Sequence, residues 1–132
     1  MLYSSYTEIT DAVIDMAQEV VSDKIVVGAL PPENGISMAP AAGASDITFF
    51  NKGQAMHISM VINSKNEDQI TALENLGKIH EHLTLTEDYP SGDTWQITNI
   101  ETNSTPVYLD REQNSQYLYG SSVRIDFYMK GI

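Results

Sequence analysis

The side chains able to do chemistry are few. His57, His80 and His82 are the only imidazoles, set among 18 acidic and 7 basic residues with no cysteine. Without cysteine there is no disulfide, no thiolate metal site and no thiol nucleophile. His80 and His82 tempt a metal reading, but two residues apart on a helix they point about 200° away from each other and cannot share one ion. His80 instead falls among apolar residues, where a hydrogen-bonded core histidine is expected, and a helix C-terminus would favour its charged form. The H-E-x-x-H spacing, the nucleophile elbow, the Walker loop and the dinucleotide glycine pattern are all absent. Asp88 and Asp93 flank a Pro-Ser-Gly turn but lack the ligand series of a calcium loop. Asn103-Ser104-Thr105 matches a glycosylation sequon, which without an export signal is a chance match. Trp95 is expected in the core rather than as a ligand platform. No catalytic constellation, metal site or cofactor site results, and the expectation is a protein that is not an enzyme.

Charge narrows the classes further. The formal net charge is −11. A nucleic-acid binder needs a basic footprint to neutralise phosphates, and none is present. The plain reading of the acidity is solubility; the sharper one is a surface that must pass nucleic acid without holding it. With 132 residues, 42% of them hydrophobic, the chain suits one domain over residues 1–132. It opens without a basic-then-apolar leader and has no apolar run of membrane-span length, so the expected setting is the cytoplasm of the producing cell.

The elements that must position these residues centre on Gln54 to Leu85. Met56, Ile58, Met60 and Ile62 alternate with His57, Ser59, Val61 and Asn63, the period of a strand with one apolar face. Ser64 and Glu67 have the spacing of a capping box. Beyond them Ala72, Leu73, Leu76, Ile79, His80 and Leu83 share one arc of a helix, with Thr71, Glu74, Asn75, Lys78, Glu81 and His82 on the other. A second S-x-x-E pair, Ser5 and Glu8, precedes Ile9, Val13, Met16 and Val20, whose spacing predicts a helix from about Thr7 to Val21. Its outer face bears Glu8, Asp11, Asp15 and Glu19, an acidic stripe that is either simply solvated or turned to a partner or lumen.

The rest reads as strands and turns. Lys24 to Leu30 is β-branched and bounded by Pro31-Pro32 and the Asn34-Gly35 turn. Ile36 to Met38 resumes a strand, and Ala39 to Ser45 is small and uncharged, a mobile loop. Asp46 to Phe50, the Asn51-Lys52-Gly53 turn and Gln54 to Asn63 make a hairpin. Glu87 to Asp93 is a loop by composition. Thr94 to Thr102 alternates with a slip at Ile100 of the kind a bulge produces. Val107 to Leu109 is a short apolar run and Asp110 to Gln116 a polar connection. Gly120 to Lys130 closes the chain, with Val123, Ile125, Phe127 and Met129 on one face. The expected fold is α+β, two helices on one face of a mainly antiparallel sheet.

Several of these segments together resemble a family of phage and prophage minor capsid proteins. They are Gly28-Ala-Leu-Pro-Pro ahead of Gly35-Ile-Ser-Met, Phe49-Phe-Asn-Lys-Gly before the alternating strand, and Asn63-Ser-Lys-Asn-Glu-Asp-Gln before the helix. Trp95-Gln-Ile, Thr105-Pro-Val-Tyr-Leu-Asp and the closing Val123-Arg-Ile-Asp-Phe-Tyr complete the set. The family is similar in layout to the tail-terminator and tail-completion proteins of long-tailed phages, and the resemblance covers nearly the whole chain through spacing rather than a catalytic signature.

The resemblance implies a virion subunit, assembled in the host bacterial cytoplasm, that forms a homo-oligomeric ring, commonly a hexamer. Such a ring stops the tail tube and meets the head–tail connector proteins, with no membrane contact and no specific nucleic-acid binding. The adaptable segments for ring contacts are Pro40, Ala41, Ala42, Gly43 and Ala44 and, in the second connection, Arg111, Glu112, Gln113 and Asn114. Six copies would carry about −66 charges, which would repel passing DNA from the ring wall. Two other classes remain: a head–tail connector or other minor capsid protein that binds portal or capsid, and a small-molecule binding module or enzyme with a deep pocket near His57 or His80.

Overall fold

A computed structural model describes residues 2–130 of the chain. The elements run α1 (Leu2–Gln18), β1 (Ile25–Val27), β2 (Gly35–Thr48), β3 (Gln54–Asn66), α2 (Gln69–Leu85), β4 (Trp95–Arg111) and β5 (Tyr117–Met129). The strands make one five-stranded sheet in the order β1-β2-β3-β5-β4. Only the short β1–β2 pairing is parallel; the others are antiparallel. Both helices cover the same sheet face, so the fold is α+β as the sequence predicts.

The core follows from the strand period. Met56, Ile58, Met60 and Ile62 of β3 and Val123, Ile125 and Phe127 of β5 lie side by side in register, all buried. Ile9, Val13, Met16 and Ala17 of α1 and Ala72, Leu76, Ile79 and Leu83 of α2 close over them. The opposite face of the sheet bears His57, Ser59, Arg124, Asp126 and Tyr128 and has no covering layer.

Several boundaries differ from expectation. The capping box at Ser64 does not form, because β3 continues to Asn66, held by pairing with Tyr117, and Ser64 is buried within the strand. Asp68 caps α2 instead, accepting from Ile70 N at 3.1 Å and from Thr71 Oγ1 at 3.0 Å. Asp68→Ala is therefore expected to lower stability by about 1 kcal/mol in urea unfolding, whereas Ser64→Ala removes no cap. Likewise Ser5 lies inside α1, which begins at Leu2 and ends at Gln18, and its hydroxyl meets Thr94 Oγ1 at 2.7 Å.

Ala39 to Ser45 is not a loop but the middle of β2. Pairing with β3 holds it extended across two register shifts, between Pro40 and Gly43 and between Ser45 and Ile47. The two runs Thr94–Thr102 and Val107–Leu109 are one long strand, β4. Pro106 is accommodated in a bulge between Ser104 and Val107, on an edge strand where its missing N–H interrupts no ladder. The slip at Ile100 is such a bulge, between Ile97 and Asn99. On α2, Asn75 is buried rather than solvated, since with Asn66 it donates to Asp23 Oδ2, each at 3.0 Å; Leu73 is exposed.

Candidate functional site

Buried chemistry is confined to structural roles. His80 lies under β4, its Nδ1 2.9 Å from Thr102 Oγ1 and its Nε2 buried without a partner among the described residues. Burial lowers its pKa below the ordinary 6.5, contrary to the expectation of a cation favoured by the helix C-terminus, because His80 stands before the last turn of α2. The unfolded chain therefore takes up this proton first on acidification, so the stabilisation present above about pH 6.5 is lost as the pH falls towards the folded value. His80→Gln is expected to remove that component. Between about pH 7 and pH 5 the melting temperature of the native chain should fall more steeply than that of the variant; parallel slopes would contradict it. Trp95 is buried, as expected, and its indole N–H donates to Glu8 Oε1 at 3.3 Å.

On the open sheet face a charged cluster is built across β2, β3 and β5. His57 Nδ1 and Asp46 Oδ2 are 2.9 Å apart, Arg124 Nη2 reaches the same carboxylate at 3.5 Å, and Arg124 Nε donates to Asp126 at 2.9 Å. The hydrogen bond to Asp126 raises the guanidinium further above its ordinary value. Arg124 thus lies between two carboxylates, Asp46 and Asp126, with the His57 imidazole beside the first. No group of three or more His, Asp or Glu among the described residues could hold a metal ion.

The acidic stripe on α1 is partly engaged. Glu8 accepts from Trp95, and Glu19 Oε2 lies 3.5 Å from His82 Nε2. Asp11 and Asp15 form its exposed middle; Asp15 and Glu19 border a shallow concavity of about 560 Å³ shared with His82, Asp88 and Tyr89. His57 and His80 line neither that concavity nor two others, one beside Val20 and Leu85 and one between α1 and Val27 and Pro40.

The two segments expected to make contacts lie apart, one at the middle of β2 and the other at the β4–β5 turn. Pro40 to Ala44 is exposed on the outer part of β2. The second is a tied turn: Glu112 pairs with the nearly buried Lys65 at 2.6 Å, Arg111 stacks over Tyr117, and Asn114 Nδ2 donates to Pro32 O. Gln113 is exposed.

Sequence reasoning missed the largest apolar exposure. Of the eleven large hydrophobic residues exposed among those described, six lie in two places. Ile47, Phe49 and Phe50 crown the β2–β3 hairpin, with Phe50 fully exposed and Phe49 tilted over Tyr128. Val107, Tyr108 and Leu109 lie near the far end of β4. The signal was available as Phe49-Phe50 beside an Asn-Lys-Gly turn, where polar residues are the norm.

No family model and no curated protein sequence matches the chain. Among solved structures, the fold is similar to that of a chain in the virion of a native gene transfer agent particle. The TM-score is 0.64 at 12% identity, covering 91% of this chain and 94% of the other.

Proposed function

We propose that the chain is a structural protein of a phage-type particle, and that it acts as a ring subunit ending the tail tube at the head–tail junction. The observation that carries this reading is the likeness of fold, along nearly the full length of both chains, to a protein of a gene transfer agent virion. The segments that resemble tail terminators support the finer role. So does the placement of the exposed apolar residues at two separate corners of the sheet, because a ring is built from heterologous contacts between unlike surfaces. The partners are then further copies of this chain, the tail-tube protein and the connector proteins of the head, and the particle is assembled in the bacterial cytoplasm. The strong negative charge suits a ring through which DNA passes unbound.

The test is to polymerise the cognate tail-tube protein with and without this chain and image the products by negative-stain electron microscopy. Capped tubes that stop growing are expected. Tubes that elongate unchanged while the protein stays free would contradict the reading.

Asp11 and Asp15 are the residues of the stripe with no hydrogen bond or ion pair among the described residues, and we assign them to the lumen or partner face. Asp11→Asn with Asp15→Asn is expected to change stability by no more than about 0.5 kcal/mol. The same variant should slow DNA exit from assembled particles, measured as ejection rate. Unchanged ejection would leave the stripe a solvated surface.

A further inference from the structure

We infer that the ring closes by strand addition, the free outer edge of β4 in one copy pairing antiparallel with the free outer edge of β2 in the next. The inference rests on the ring reading and specifies its contact.

Each outer edge of the sheet is capped only near the beginning of its strand. On one side β1 pairs with Ile36, Ser37 and Met38 and goes no further, so from Ala39 to Thr48 the outer backbone of β2 has no strand beside it among the described residues. On the other side the loop before β4 folds back on its beginning, through the Ser91–Gln96 bridge and the bonds Gly92 N to Trp95 O and Ile97 N to Pro90 O. Beyond this cap β4 runs to Arg111 with β5 as its one paired strand among the described residues. Uncapped edges template pairing with another chain, and proteins commonly guard them with lysine or other charges. The β2 stretch carries no basic residue, and its one charge, Asp46, is bound to His57 and Arg124.

Three properties select a second copy as the occupant. The first is polarity. Three successive antiparallel pairings separate β2 from β4, so the two edges run in opposite directions. Copies related by a ring axis keep one orientation, and β4 of one therefore meets β2 of the next antiparallel. The second is size. Ala39, Ala41, Ala42, Gly43 and Ala44 offer small side chains opposite Val107, Tyr108 and Leu109, bulky and exposed. The third is closure: a two-fold pairing of either edge with itself leaves the other bare, whereas the heterologous contact covers both.

The free stretches extend towards diagonally opposite corners, because the β2–β3 turn and the β4–β5 turn are at opposite ends of the sheet. Closure then requires strands inclined to the ring axis, as in a barrel. Pro106 and the register shifts along β4 confine the pairing to a short stretch and oppose open-ended sheet growth.

The chain has no cysteine, so introduced thiols report alone. Ala44→Cys and Thr105→Cys, both at exposed positions, are placed singly and together, assembled on tail tubes, and treated with a short thiol-to-thiol cross-linker that tolerates a slip of register. The double variant should give a ladder of covalent multimers ending at the ring. A mixture of the two single variants should give dimers only, and neither single variant alone should cross-link. Dimers from one single variant alone, or capped tubes without any β2–β4 cross-link, would overturn the edge contact while leaving the ring reading standing. Failure to associate with tubes or with itself at all would overturn both. Ala44→Lys, which guards the β2 edge without touching the core, should abolish the ladder formed by a separately placed Thr105→Cys and Ser45→Cys pair while circular dichroism stays unchanged. A ladder that persists would contradict the inference.

Discussion

Phe127→Ala should cost about 3–5 kcal/mol in urea unfolding, a large part of the stability of an ordinary domain of this size. Phe127 is 1% exposed on β5, in register with Met56 of β3 on one side and Ile97 of β4 on the other. Its ring meets that of Tyr6 edge-on, with centroids 6.1 Å apart and planes at 82°. Truncation therefore removes packing from the sheet and from α1 at one point, in a strand with neighbours on both sides and little room to collapse. A loss below about 1 kcal/mol would mean that the helix layer closes into the gap, and that the packing described here is looser than a native core.

Gly43→Val is the second large effect, and its seat is the backbone. A Cβ at Gly43 would lie 2.0 Å from His57 O and 2.8 Å from Ile58 Cα, with no flexible side chain to give way. Because the obstacle is the backbone of β3, the outer half of β2 must lift from its partner at the Pro40–Gly43 bulge. We expect destabilisation of about 1–3 kcal/mol, together with faster hydrogen exchange from Ala44 to Thr48. The core strands should keep their protection. Assembly should fail with it, since the strand that is lost forms one side of the proposed contact. Unchanged exchange in the outer half of β2 would contradict the close approach.

The parts of this fold that are legible in the sequence are those where burial writes a period. Met56 to Ile62 and Val123 to Met129 alternate because one face meets the helices and the other is open, and that alternation alone gives strand type and core face. The same logic places His80 in the core. Where both faces are wet there is no period to read. The outer half of β2 is exposed on both sides, and Ala, Gly and Pro are poor strand formers, so Ala39 to Ser45 reads as a loop until β3 supplies its partner. Ser64 fails as a cap for a related reason: long-range pairing of Asn66 with Tyr117 carries β3 past the local signal, and Asp68 takes over. The join of β4 across Pro106 depends on its being an edge strand, a fact of topology that no local window contains.

The candidate contact surfaces show the same division. Pro40 to Ala44 is singled out by its composition as a loop, and the structure makes it instead a strand paired with β3 along one edge. The opposite edge at Val107 to Leu109 emerges only when β4 is seen to be outermost. The acidic stripe is visible as spacing. Its division into engaged ends and a free middle is not, because Trp95 and His82 reach it from distant elements.

The proposed function has identical copies of the chain closing a ring on a tube end. Cryo-electron microscopy of tail tubes incubated with the protein reads that claim directly. One end of each tube should bear a closed ring of identical copies around an open channel, six if the resemblance to tail terminators extends to stoichiometry. Tube ends that stay bare, or that carry isolated copies without rotational symmetry, would contradict it.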